Sequence, residues 1–213
     1  MQLVAVRDLG AGQLEEAAGI VGRGMRDNPL HIRAFGDADE RRERALARFF
    51  LPVLERCLRN GTILGAFRDG RLAGVCAMLP PGRCRITVAE KLRLLPSILR
   101  AAPRALPAIL RWTGAWAQRD PAQPHWHLGP VAVDRDIQGT GIGTALLAEF
   151  CRRIDALGAA AYLETDKAKN VLFYERYDFE TRAQTSVIGV PNWFMIRGKR
   201  TGRPTAPRFA EHR

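Results

Sequence analysis

The chain has 213 residues, 46% of them apolar, and a formal net charge of +11. That is enough apolar material for one sizeable core, and it excludes a disordered chain. No run approaches the roughly 18 apolar residues that a membrane span needs, and MQLVAVRDLG shows no charged segment followed by an apolar one, so a cytoplasmic location without a secretory signal is the expectation.

Residues 2–7 alternate weakly and predict a first strand, and LEEAAGIVGRGMRD (14–27) carries helical spacing. Residues 37–59 predict a second helical region, entered at Asp37 or Asp39 as N-cap and kinked or broken at Pro52. GTILGAFRDGRLAGVCAMLP (61–80) places two apolar runs around an Asp-Gly pair, the signature of a hairpin turn that needs positive φ. Residues 86–118 are Leu-, Ala- and Arg-rich and broken by Pro96, Pro103 and Pro107, which predicts helical segments within an insert over 82–120. The insert reads as a hairpin packed on the core, or as a lid over a substrate site.

PHWHLGPVAV (124–133) predicts a strand, GTALLAEFCRRIDALG a helix, AAYLETD (160–166) a strand and KNVLFYERYDF (169–179) a short helix. TSVIGV and NWFMIRG predict a closing hairpin around Pro191-Asn192. One strand–helix–strand unit implies a parallel pair inside a mostly antiparallel sheet, an α/β (α+β) arrangement. Residues 1–197 read as one domain, and the basic, Pro- and Gly-containing tail 198–213 as a mobile terminus.

The positive charge is mostly Arg, scattered among acids as in DADERRERALAR, and this argues against nucleic-acid binding as the main role. Cys57, Cys76, Cys84 and Cys151 stand at irregular spacings with no C-x-x-C, so they read as reduced, buried thiols, and no metal is expected. His125, beside Pro124, reads as solvated.

Three glycines, Gly139, Gly141 and Gly143, stand where a helix is starting, although glycine weakens a helix by roughly 1 kcal/mol relative to alanine. A strand that turns into a helix through glycines exposes main-chain N–H groups unobstructed by side chains. The first helical turn leaves donors unpaired, and the macrodipole places partial positive charge there. A pyrophosphate is the natural guest. The spacing fits neither G-x-x-x-x-G-K-[ST] nor the dinucleotide G-x-G-x-x-G.

Gln138-Gly139-Thr140-Gly141-Ile142-Gly143 resembles the Q/R-x-x-G-x-G/A signature of the GCN5-related N-acetyltransferases (GNAT), and NVLFYERYDF resembles the family's later N-x-x-x-Y-x-x-x-G-F helix. Asp178 replaces the usual glycine there; a turn in the left-handed region is the expectation, since Asp tolerates it better than most residues. The resemblance implies a mixed, mostly antiparallel sheet of about seven strands flanked by helices, with acetyl-CoA as acyl donor. It implies that Gln138, Gly139, Thr140, Gly141, Ile142, Gly143 and Thr144 hold the diphosphate and that main-chain groups of Val131, Ala132 and Val133 pair with the pantetheine arm. Asn170 and Phe173 would also contact the cofactor.

The implied reaction is direct attack of an amine on the thioester, with no covalent enzyme intermediate. Tyr174 would protonate the leaving thiolate, a phenol near pKa ~10 serving a thiol near ~8.5. Two rivals stand for the base: His127, on the strand, and Glu164, at the end of YLE. Strict alternation would put His127, Gly129, Val131 and Val133 on one face. The acceptor would be chosen by residues 25–50, the insert and the closing hairpin. A small-molecule amine is the first reading; alternatives are a protein N-terminus or lysine, or a non-catalytic acyl-CoA sensor. An apolar insert is compatible with a homodimer.

Overall fold

The structure, a computed structural model, describes residues 4–200. Strand β1 (Val4–Asp8) is followed by helices α1 (Leu14–Met25), α2 (Pro29–Phe35) and α3 (Asp39–Asn60), then by the hairpin β2 (Thr62–Arg68) and β3 (Arg71–Leu79). The insert supplies α4 (Val88–Ala101) and α5 (Leu106–Ala117). After it come β4 (Trp126–Val133), α6 (Ile142–Ala156), β5 (Ala161–Thr165), α7 (Ala168–Glu175), β6 (Glu180–Val187) and β7 (Val190–Arg197). The seven strands form one sheet in the order β1-β2-β3-β4-β5-β7-β6, antiparallel except for β4 and β5. The expected fold class is therefore the observed one.

The sheet has an apolar layer on each face. Ile20, Leu30, Leu46, Phe50, Val75, Ala77 and Trp112 gather on one side with α1, α2, α3 and α5. Cys76, Met78, Leu128, Leu146, Phe150 and Tyr174 gather on the other with α6 and α7. No helix among the described residues is long and apolar enough to cross a membrane. The tail beyond residue 200, expected to be mobile, lies outside the described residues, as do the first positions of the predicted strand at 2–7.

Local chemistry explains where the elements depart from expectation. Pro52 does not break α3, which runs on to Asn60; Pro96 is likewise carried inside α4. A proline removes one ladder bond, and α3 is held instead by its buried face of Leu46, Phe49, Phe50 and Leu54. Its N-cap is Ala38, and the Asp39 carboxylate accepts from Arg42 Nη2 at 2.6 Å. Helix α2, unpredicted, has no side-chain cap of its own: Leu30 N–H donates to Asp166 Oδ2 at 2.7 Å, a partner 136 positions away. The first hairpin turns at Asp69 and Gly70, with φ of 52° and 76°. The closing hairpin turns at Ile188-Gly189, φ 48° and 86°, rather than at Pro191-Asn192, which pair with Ser186 and Thr185 inside the ladder. A two-residue turn of this kind needs positive φ at both positions, which proline cannot adopt. Asp178 sits at φ 62°, the left-handed position its substitution for glycine demands.

Two features open the sheet at its centre. Strands β4 and β5 pair only at Trp126↔Ala161 and His127↔Tyr162, so the rest of β4 has no neighbour on that side. Opposite β3, the register slips between Cys76↔Val131 and Met78↔Leu128. Three steps along β4 thus face two along β3, and such a bulge reverses the facing of the side chains beyond it. Leu128 packs on the α6 side, and so do Val131 and Val133, while Ala132 packs on the α1 side. The strict alternation expected for 127–133 therefore fails: His127 does not share a face with Val131 and Val133.

Candidate active site

A cavity of about 580 Å³ occupies this opening. At one end lies the glycine turn. Gly139 and Gly141 take φ of 80° and 90°, a region where a side chain is strained, and α6 starts at Ile142 with no side-chain cap. The first intrahelical bond runs from Ala145 N to Gly141 O at 3.0 Å, which leaves the earlier N–H groups of the turn available to a ligand. Gly139, Gly141, Gly143 and Thr144 line the cavity with Val131, Ala132 and Val133 of β4 and Asn170, Phe173 and Tyr174 of α7.

Three predicted cofactor residues serve differently from their neighbours. Gln138 donates from Nε2 to Gly24 O (3.0 Å) and Val133 O (3.1 Å), pinning the turn to α1 and β4. Thr140 spends its hydroxyl on Ile137 O at 2.7 Å, and the Ile142 side chain is buried in the core. These two leave only their main chain for a ligand. Sequence reasoning missed Gly24. A Cβ there would lie 2.2 Å from Val133 O, so only glycine lets α1 approach β4 this closely.

Tyr174 is 8% exposed, its ring packed against Phe173 and Phe179, and it lines the cavity without a protein partner for its hydroxyl among the described residues. Burial, with Cys76 and Asp166 nearby, raises its pKa above the ordinary phenol value, so it holds its proton. Asn170 donates to Thr165 Oγ1 at 3.3 Å.

His127 and Glu164, expected as rivals, form a pair: Nε2 donates to Oε2 at 2.8 Å, with Glu164 nearly buried. Parallel pairing of β4 with β5 sets His127 opposite Tyr162, two residues before Glu164 on the same face. Burial pulls the imidazole down, but the Glu164 charge and the Cys84 thiol more than reverse this and raise it to about 10. Cys84 also lines the cavity, and hydrogen bonds to His125 and His127 lower its thiol to about 6. His125 is not solvated: it is 3% exposed, set against Tyr162 and bonded to Asp120.

The far end of the cavity is aromatic. His31, Phe49 and Phe50 come from α2 and α3, and Trp112 and Trp116 from the insert. Trp112 Nε1 is buried with no partner among the described residues, whereas Trp116 Nε1 donates to Asn192 Oδ1 at 2.9 Å. Residues from 25–50 and from the insert, expected to choose the acceptor, line the cavity; the closing hairpin, expected to do so too, does not line it, and its Asn192 accepts from Trp116.

The family model for acetyltransferases of the GNAT type matches residues 29–179, most of the chain. The chain belongs to the acetyltransferase (GNAT) family. It is an acyltransferase that draws on acetyl-CoA, and the main-chain turn before α6 suits that donor's diphosphate. The fold recurs in solved structures. One, of histone acetyltransferase HPA2 and related acetyltransferase from Corynebacterium glutamicum, superposes with a TM-score of 0.71 at 22% identity, covering 97% of this chain and 100% of that one. Polyamine N-acetyltransferase of Drosophila melanogaster gives 0.63 at 15% identity, covering 92% and 100%. A GNAT family acetyltransferase from Brucella melitensis in complex with acetyl-CoA gives 0.52 at 16%, covering 99% and 98%.

Proposed function

We propose that this GNAT enzyme moves the acetyl group of acetyl-CoA to a primary amine of a small molecule by direct attack. The single observation that carries the reading is the hydrogen-bonded His127–Glu164 pair, which lines the same cavity as the glycine turn and Tyr174. Pyrophosphate lies on the N–H groups of Gly139 to Thr144, and the pantetheine arm adds to the unpaired edge of β4 at Val131 to Val133 as an extra strand would. A main-chain N–H there faces the thioester oxygen as charge develops on it. With the His127 ring held protonated, the Glu164 carboxylate of the pair takes the amine's proton, and Tyr174 returns one to the departing thiolate.

The aromatic end favours a small acceptor over a protein. Trp112, Trp116, Phe49, Phe50 and His31 enclose an apolar body, and the unpartnered Trp112 Nε1 suits an acceptor atom on it. Residues 126–197 also resemble puromycin N-acetyltransferase, with W-x-L, QGxGxG, LET and N-x-x-FYER-x-x-F in the same order, which supports an amine with an aromatic or apolar body.

The test is release of free thiol from acetyl-CoA across a panel of polyamines, aromatic amines, aminonucleosides and peptides. Turnover with a non-peptide amine supports the reading, and its fall by about 100-fold or more in Tyr174→Phe, with acetyl-CoA affinity held, supports the acid role. Turnover confined to peptides overturns the small-molecule assignment. Cofactor binding with no thiol release on any amine makes the chain a sensor.

A further inference from the structure

Cys84, Asp120 and His125 come from three places: the loop after β3, the turn after α5 and the residue before β4. They meet at the neck of the insert. His125 Nε2 is 3.1 Å from Asp120 Oδ1, and Cys84 Sγ is 3.7 Å from that oxygen and 3.9 Å from Nε2. These three atoms form a triangle with all edges under 4.8 Å. Tetrahedral zinc, with bonds of about 2.3 Å to sulfur and about 2.0–2.1 Å to nitrogen and oxygen, requires edges of about 3.3–3.6 Å. Small side-chain adjustments separate the two triangles.

The surroundings orient the imidazole and the carboxylate inward. His125 Nδ1 donates to Gln123 O at 2.8 Å, so in the neutral ring Nε2 carries the lone pair, and it faces Sγ and Oδ1. A main-chain carbonyl on the far ring nitrogen is the usual support of a metal-bound histidine. Asp120 is treated the same way: Oδ2 accepts from Arg85 Nε at 2.8 Å, leaving Oδ1 for the centre. His125 is buried and the Asp120 side chain is 10% exposed. Without a metal the ring and the carboxylate share a proton as an ion pair at 3.1 Å, and a cation would take that proton's place.

We propose that Cys84, Asp120 and His125 bind one zinc ion. A thiolate and an imidazole select a borderline metal over magnesium or calcium, which take oxygen donors. Three protein ligands leave a fourth position for water. Cys84 and Asp120 stand 36 residues apart at the two ends of the insert, so the ion closes its neck and fastens it to the start of β4. It thereby steadies the helix that carries Trp112 and Trp116. Local spacing in the sequence offers no such pattern, because the ligands lie 36 and 41 positions from Cys84. The assignment does not depend on the acceptor's identity, and Cys84 also lines the cavity beside His127.

The test uses the full chain, stripped by chelator under reducing conditions and titrated with Co²⁺, then with Zn²⁺. Saturation at one equivalent, with a thiolate-to-cobalt charge-transfer band that Zn²⁺ abolishes, is expected. Cys84→Ser should lose the band and His125→Gln should weaken affinity at least about tenfold. No band in the unaltered chain, or one that survives in Cys84→Ser, overturns the site. Should Cys84→Ser fail to fold, alkylation of the unaltered protein decides. Cys57, Cys76 and Cys151 are buried, and one equivalent of Zn²⁺ should slow iodoacetamide labelling of Cys84 at least about tenfold by mass spectrometry. An unchanged rate overturns the proposal.

Discussion

The two ends of the cavity were built by different means. At the end we propose for the donor, a ligand held mainly by main-chain N–H groups needs glycines at positive φ, a helix start and an open strand edge, all within residues 131–144. At the end we propose for the acceptor, side chains from α2, α3 and α5, scattered over residues 30–116, make the enclosure. Main-chain recognition writes a short pattern into the chain, because backbone geometry is local. Side-chain recognition writes none, because any residue that the fold carries to the right place will serve.

The pair that joins the two ends gives the largest effect. Glu164→Gln keeps the shape of the side chain but removes the charge that faces His127 at 2.8 Å. Turnover should fall by about 100-fold or more, with acetyl-CoA affinity held within about threefold. Steady-state kinetics beside calorimetry check this. Equal losses in both would mean that the pair only shapes the donor end, and the division drawn above would fail.

Next in size is the packing on which the donor end stands. Gly24→Ala sets a methyl 2.2 Å from Val133 O, a backbone atom with little freedom to retreat. Urea unfolding should show a loss of about 3 kcal/mol, and acetyl-CoA affinity should fall because Gln138 loses its hold on Gly24 O. A neutral result would show that α1 is not clamped to β4.

The same contrast governs how far the sequence could be read. Glycines at 139, 141 and 143, the Asp-Gly hairpin and the Asn170–Tyr174 helix were legible because each answers to bonds a few residues away. The Asp178 turn was legible for the same reason. Helix α2 was not, since its N-terminal donor finds Asp166 across the fold. Nor was the joining of His127 to Glu164, which depends on the parallel pairing of β4 with β5, or the reversal of facing after Leu128, which needs β3 opposite to reveal the bulge. Gly24 lies within a helical stretch whose spacing gives no sign of Val133 O against it. His125 looked solvated because Asp120 and Tyr162 come to it only in the fold.

At the acceptor end, Trp112→Phe keeps an aromatic ring but removes a buried N–H that has no protein partner among the described residues. If that group donates to the acceptor, the KM for the amine should rise about fivefold, the worth of one hydrogen bond of about 1 kcal/mol. Affinity for acetyl-CoA should not move. A rise in acetyl-CoA KM instead would show that the ends are not independent.

The smallest effect is a pH dependence set by a ring at the aromatic end. His31 is 2% exposed among Phe35, Phe50 and Trp112, and its Nδ1 donates to Met25 O at 2.9 Å. Burial lowers its pKa below 6.5; Asp166 and the Met25 carbonyl oppose this, while Lys167 and Arg42 add to it. The folded state therefore keeps the ring neutral where the unfolded chain takes up a proton. The ring's contribution is present above about pH 6.5 and is lost as pH falls from there towards the folded value. Urea titrations at about pH 6.5 and 5.5 should show that the unaltered protein loses more stability over this step than His31→Leu does. Acetyl-CoA binding, whose N–H donors do not titrate, should stay level over the window once the free ligand's own ionisation is subtracted. A decline that persists in His31→Leu would move the titrating group elsewhere and leave the aromatic end indifferent to pH.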